Sequence, residues 1–171
     1  NLLLSDPARL DRLLTDEAHP VQIVVAGKAH PADIEGKAMI QAWIQLARQP
    51  RYRRKVVFLE DYDLALAKEL VQGIDVWINM PRRPWEACGT SGMKVLVNGG
   101  LNCSILDGWW DEAYRADVGW AIGDGTGGDA RRVDKSDAQS LFDVLEKDVV
   151  PEFYNRDALG LPRAWLARIR R

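Results

Sequence analysis

Val21-Gln22-Ile23-Val24-Val25-Ala26-Gly27 is followed by Met39-Ile40-Gln41-Ala42-Trp43-Ile44-Gln45-Leu46-Ala47, and then by Val56-Val57-Phe58-Leu59. The first and last runs are short, apolar and β-branched, the pattern of strands buried on both faces. Between them Met39, Trp43 and Leu46 fall on one helical stripe that Ile40, Ile44 and Ala47 widen, and Pro50 stops the helix. Strand, helix, strand at this spacing is a βα unit, which places the two strands parallel in one sheet.

The pattern continues on both sides. Upstream, Ser5-Asp6-Pro7 is a helix start with proline at the first helical position, and Leu10, Leu13 and Leu14 follow at helical spacing. Downstream, Leu64–Val71 predicts a helix with Gly73 as its left-handed cap. Ile74–Asn79 predicts a third strand, Ser91–Asn98 a helix, Leu101–Leu106 a fourth strand and Val118–Ile122 a shorter fifth. Gly123–Gly128 is glycine-rich and reads as a mobile loop. Ala138, Leu141, Phe142, Leu145 and Val149 mark an amphipathic helix, and 162–169 a weaker one. The fold class is α/β: a doubly wound, Rossmann-like parallel sheet in a single domain spanning 1–171, with helices on both faces. Ligands then bind beyond the carboxyl ends of the strands, so chemistry is expected after Ala26, Leu59, Asn79 and Leu106.

Bulk composition narrows the class. A net charge of −2 gives no basic excess for nucleic acid. The local basic runs Arg51–Lys55 and Arg168–Arg171 each read as a solvated face or a fraying end. Cys88 and Cys103 have neither metal-ligand spacing nor a disulfide framework, which fits a reducing, cytoplasmic setting. No metal site is expected. No apolar run reaches the ~18 residues of a membrane span. The first residue is Asn1, and the natural start is expected upstream. His19 and His30 each precede a proline and read as turn residues.

The chemistry concentrates in Pro81-Arg82-Arg83-Pro84-Trp85-Glu86-Ala87-Cys88-Gly89-Thr90-Ser91-Gly92-Met93-Lys94. A strand end, a proline-rich loop and a run of small residues lead into a helix. Small side chains there let backbone N–H groups approach an anion that the helix dipole also favours. Glu86, at the lip of the loop, is placed to accept hydrogen bonds from sugar hydroxyls. Lys94 lies in the first turns of the helix between Met93 and Val95, and apolar neighbours can hold a lysine uncharged for nucleophilic chemistry. Taken singly, each feature has a plain structural reading: a tight turn, a surface glutamate, a solvated lysine.

Together they resemble a known family. Glu86-Ala87-Cys88-Gly89-Thr90-Ser91-Gly92-Met93-Lys94, followed by Asn98-Gly99-Gly100-Leu101 and Asp107-Gly108, resembles the pyridoxal-phosphate signature of the α-glucan phosphorylases. Gly27-Lys28-Ala29-His30-Pro31 and Phe58-Leu59-Glu60-Asp61-Tyr62 resemble two further blocks of that family, in the same order. Pro81-Arg82-Arg83-Pro84 and Trp109-Trp110 are closer to its shorter, bacterial-type members. The resemblance implies that Lys94 holds the aldehyde of pyridoxal phosphate as an imine, and that Thr90, with Ser91, meets the cofactor's phosphate region. Glu86 and the backbone N–H groups of Cys88 and Gly89 would bind the glucosyl unit, Tyr62 would lie beside the cofactor ring, and the role of Lys28 stays open. Lys94, Glu86 and Thr90 form the implied catalytic set. The implied reaction is attack of inorganic phosphate on a terminal α-1,4-glucosyl unit of a glucan, releasing glucose 1-phosphate. Cys88 stands where the family usually has serine, and Asp63 where its animal members have arginine.

The family fold is a two-lobed, GT-B-type glycosyltransferase, and the resemblance covers part of the carboxyl-terminal lobe only. Its basic phosphate-holding segment and its amino-terminal lobe have no counterpart here, so the chain is expected to be inactive alone. Trp85, Trp109 and Trp110 would either form an apolar patch facing the missing lobe or pack within this domain. Two other functions remain open: the donor-binding lobe of a sugar-nucleotide glycosyltransferase, which gives Lys94 no purpose, and a non-catalytic glucan-binding module.

Overall fold

The computed structural model describes residues 2–125 and 127–171. Asn1, and Thr126 within the segment read above as a mobile loop, lie outside the described residues. Strands and helices alternate: α1 (Pro7–Thr15), β1 (Ile23–Ala26), α2 (Ile34–Ala47), β2 (Val56–Leu59), α3 (Leu64–Gly73), β3 (Val76–Asn79), α4 (Thr90–Val97), β4 (Leu101–Ile105), α5 (Trp109–Ala113), β5 (Gly119–Ile122) and α6 (Ala130–Val144). A π-helical turn, Leu145–Val149, carries α6 into α7 (Val150–Tyr154), and α8 (Arg163–Ile169) follows. Every strand pair is parallel, as βα units require. No helix among the described residues is long and apolar enough to cross a membrane.

The sequence predicts one sheet, whereas hydrogen bonding among the described residues forms two, of order β1-β2 and β3-β4-β5. The chain correspondingly divides into two compact units, Pro7–Ala67 and Leu2–Asp6 with Lys68–Arg171.

In the first unit Ile23 pairs with Val56 and Ala26 with Leu59. Asp33 caps α2 by accepting the Gly36 N–H at 2.8 Å, and Trp43, from the predicted stripe, is buried. β1 is half-buried along its whole length, not enclosed on both faces as its apolar run suggests. The faces of a strand are covered by what packs on the sheet, and apolarity reports what a strand can bury rather than what covers it. Arg51 of the first basic run is not simply solvated: it donates to Asp11, which also accepts the Tyr52 hydroxyl, tying α1 to the turn before β2.

The second unit is built on β4, where every residue is buried. Its neighbours are β3, through Val76 with Leu101, and β5, through Asn102 with Gly119. The predicted stripe Ala138, Leu141, Phe142, Leu145 and Val149 is buried throughout, and the turn Leu2–Ser5 packs on α6 through buried Leu3. Gly73 is the last residue of α3 and has no left-handed conformation; the Ile74 N–H still bonds to the Leu70 carbonyl.

In the second basic run Arg170 and Arg171 are exposed, but Arg168 is neither solvated nor fraying. Arg168, on α8, makes two parallel hydrogen bonds to Glu152 of α7 at 2.7 and 2.9 Å and donates to the Ala116 carbonyl. Its guanidinium also lies over the Trp120 ring, 4.6 Å from the centroid. Trp120 in turn contacts Trp165, which meets Phe153 edge to face. A planar fork matched to carboxylate, carbonyl and ring is a use of arginine that counting charges in a sequence does not reveal.

Candidate active site

Parallel neighbours end on the same side of a sheet, so the loops leaving β3 and β4 emerge together. Asn79, the last residue of β3, is in register with Ser104. From there the chain runs out through Pro81–Pro84, turns with the Trp85 N–H on the Arg82 carbonyl, and returns as Glu86–Gly89 to start α4. Arg82 pairs with Asp134 of α6 at 2.7 Å, and the Arg83 guanidinium lies against Gly125. The loop's tip is therefore tied down even though Trp85 is 81% exposed.

The start of α4 is shaped by glycine. Gly89, the N-cap, has φ 85° and ψ 46°, a left-handed conformation, and no side chain caps the helix. The first N–H groups of α4, from Thr90 and Ser91, consequently have neither an intrahelical partner nor a side-chain cap. The Glu86 carboxylate lies over Gly89, where a β-carbon would come within 2.7 Å of Oε1. Gly92 is pressed from beneath: Asn102, buried in β4, donates to its carbonyl at 3.1 Å, and the Trp109 ring closes the remaining space. Glycine is thus required at 89 by its left-handed backbone and at 92 by the close approach of Asn102 and Trp109.

Glu86, Cys88, Gly89, Thr90, Ser91 and Lys94 thus lie on one loop-to-helix segment. Thr90 and Lys94 are four residues apart, on the same face of α4, and helical side chains lean toward the amino end. Lys94 is exposed and makes no hydrogen bond or ion pair through its ammonium group among the described residues. The apolar enclosure expected for it is not present: Val95 is buried, but Met93 is 37% and Val97 83% exposed, because α4 turns only the face of Gly92 and Val95 to the core. Tyr62 and Lys28 belong to the first unit. Tyr62 is half-buried after β2, and exposed Lys28 lines a cavity of about 250 Å3 with Ala26, Asp33, Trp43 and Phe58. His19 pairs with Asp16, and the His30 ring accepts the Ala32 N–H; both sit in turns. No cluster of metal-ligating side chains occurs among the described residues. Of the three tryptophans, Trp110 is buried and bonded to the Trp120 carbonyl, Trp109 packs on Gly92, and only Trp85 stands out from the surface.

The residues missed from sequence are those that hold this segment in place: Asn102, Asp107 and Trp109. Asp107 accepts the N–H groups of Glu86 and Gly108, each at 3.0 Å, and the Trp109 N–H donates to the Cys88 carbonyl at 2.9 Å. The Asp107-Gly108 dipeptide was the available signal, but its partner across the sheet follows only from the β3–β4 register.

The sequence profile of the carbohydrate phosphorylases matches residues 7–118. The chain belongs to that family. It is 51% identical to the glycogen phosphorylase of Mycobacterium tuberculosis over 170 residues, 99% of this chain and 20% of that protein. The glycogen phosphorylase of Aquifex aeolicus is 47% identical over 171 residues, and the maltodextrin phosphorylase of Thermococcus litoralis 43% over 158. These matches cover 99% and 92% of this chain, and 24% and 19% of the two relatives. This phosphorylase chain therefore spans about a fifth of the length of the curated relatives it matches.

The two thiols of the phosphorylase chain differ sharply. Cys88 is exposed on the Glu86 loop, while burial in β4, with repulsion from Asp148 added, pushes the Cys103 thiol up to about 12. Cys103, buried and held as a thiol, is shielded from reagents, whereas Cys88 stands open to them. An aromatic disulfide reagent should react with one thiol in the native chain and with both after denaturation. Fast reaction of both in the native state would contradict the burial of β4.

Proposed function

We propose that this chain forms part of the carboxyl-terminal, cofactor-carrying lobe of a two-lobed, GT-B-type α-glucan phosphorylase. Its reaction is phosphorolysis of terminal α-1,4-glucosyl units by inorganic phosphate, giving glucose 1-phosphate, in the cytoplasm. One observation carries the reading: a lysine one helical turn beyond an uncapped helix start, with a carboxylate lying over the same glycine. The donor set fits pyridoxal phosphate. Uncapped N–H groups at Thr90 and Ser91 suit a phosphate, small residues leave it room, and Lys94 is an amine able to bond an aldehyde. When bound, pyridoxal phosphate supplies a phosphate group that exchanges protons with the substrate phosphate.

The roles of the chain's own residues follow. Lys94 holds the cofactor covalently, and the N–H groups of Thr90 and Ser91 orient its phosphate end. Glu86 accepts hydrogen bonds from glucosyl hydroxyls, and the N–H groups of Cys88 and Gly89 donate to the same sugar. Such contacts act by positioning and by fixed dipoles rather than by bond-making with the sugar. Exposure of Lys94 belongs to this reading, since the opposing lobe supplies the other half of the enclosure. These 171 residues by themselves are expected to release no glucose 1-phosphate from maltooligosaccharides and to retain the cofactor weakly.

The test is to incubate the chain with pyridoxal phosphate, reduce with borohydride, and map the adduct by peptide mass spectrometry. Lys94 should be modified ahead of the other lysines, and Lys94→Ala should remove that adduct. Labelling spread evenly over surface lysines, with no preference for Lys94, would count against this segment as a cofactor site.

A further inference from the structure

Three consecutive residues of the β4–α5 connection, Asp107, Gly108 and Trp109, grip the segment Glu86–Gly89. The Asp107 side chain is almost fully buried, with 8% of the residue exposed, and no cation pairs with it among the described residues. A buried carboxylate needs hydrogen bonds in place of water. Oδ2 accepts the Glu86 N–H and Oδ1 the Gly108 N–H, both at 3.0 Å. These are charge-assisted bonds, stronger than bonds between neutral groups. Next, Gly108 lies so close that a β-carbon would be 2.5 Å from the Cys88 carbonyl oxygen and 2.9 Å from Glu86 Cγ. Finally the Trp109 N–H donates to that same Cys88 carbonyl at 2.9 Å, and its ring packs over Gly89 and Gly92.

We infer that Asp107 is the positioning residue of the Glu86 loop. By holding the Glu86 N–H it sets the backbone from which the Glu86 carboxylate lies over Gly89, while Gly108 and Trp109 keep Cys88 and Gly89 in step. Asp107 reaches no ligand itself; it acts through the Glu86 backbone. What Glu86 binds rests on the phosphorylase reading, whereas the grip on the loop does not.

Amide hydrogen exchange, followed residue by residue by NMR on the whole chain, separates this role from general stabilisation. In Asp107→Ala the Glu86 N–H should exchange roughly tenfold faster or more, the loss of one charge-assisted bond. The Trp109 N–H should follow it, because its acceptor, the Cys88 carbonyl, lies on the released segment. Amides of the β4–β5 ladder should keep their protection. Asp107→Asn retains one acceptor oxygen and should fall between wild type and alanine, and it carries the test by itself if the alanine variant does not fold. The inference is overturned if the Glu86 N–H is unchanged, or if the β4–β5 ladder accelerates by the same factor. Labelling at Lys94 is read separately: a chain that shows the Glu86 response but no preferred Lys94 adduct keeps Asp107 as the positioning residue and loses this segment as the cofactor site.

Discussion

Gly108→Ala is expected to lower the stability of the chain by about 3 kcal/mol. Two separate effects add. The backbone at 108 has φ 55° and ψ −139°, a conformation that residues with a β-carbon rarely adopt, and forcing it is worth about 1–3 kcal/mol. The new methyl would also lie 2.5 Å from the Cys88 carbonyl oxygen, a backbone atom that cannot rotate away. Overpacking of this kind typically adds about 1–3 kcal/mol. For a chain of this length the melting temperature should fall roughly 6–12 °C. Gly127→Ala is the control, since a β-carbon there meets nothing within 4 Å. Thermal unfolding of both variants decides the matter. A Gly108→Ala chain melting within about 2 °C of wild type would show that the two loops are not in contact as described.

The second large effect is expected from Arg168→Ala, about 3 kcal/mol. The arginine and Glu152 side chains are only 18% and 15% exposed, so their attraction is little screened by water. Removing the guanidinium leaves the Glu152 carboxylate poorly hydrated and unpaired, and uncovers the Trp120 ring, whose buried Nε1 already lacks a hydrogen-bond partner among the described residues. Arg168→Lys should recover less than half of the loss, because an ammonium group cannot make the parallel pair of bonds, reach the Ala116 carbonyl and stack on the ring together. Urea unfolding of Arg168→Ala, Glu152→Ala and the double variant gives the coupling. Single-variant losses that simply add would mean that the two groups do not act as a pair.

Both predictions rest on residues whose roles the sequence conceals, and the reason is the same. Periodicity reports what one element can bury: Leu141, Phe142 and Leu145 announce a buried stripe, and they are buried. Register between elements is not written in any local run. Asp107-Gly108 is in the sequence only a dipeptide after a strand until β4 is set beside β3, and Arg168 reads as part of a basic run until α8 is laid against α7. The same limit explains the errors. Gly73 reads as a left-handed cap, yet its backbone has no positive φ and the Ile74 N–H keeps a helical bond to Leu70. The apolar run of β1 predicts two covered faces, yet the strand is half-buried throughout, because cover depends on what packs against the sheet. Lys94 was legible as to place, on the helix start with Thr90, but not as to exposure, which depends on what packs against α4 and not on its sequence neighbours.

Within each sheet the strands lie in the order in which they occur along the chain. In β3-β4-β5 each strand pairs with the one made just before it, Val76 meeting Leu101 and Asn102 meeting Gly119. No strand has to be inserted between two that are already joined. A polypeptide emerging amino end first can therefore lengthen this sheet at one edge, a strand at a time, during synthesis. Parallel pairing is slow when distant segments must find each other. Here each search is confined to a single helical crossover, and β4, the most buried strand, becomes fully enclosed only when β5 arrives.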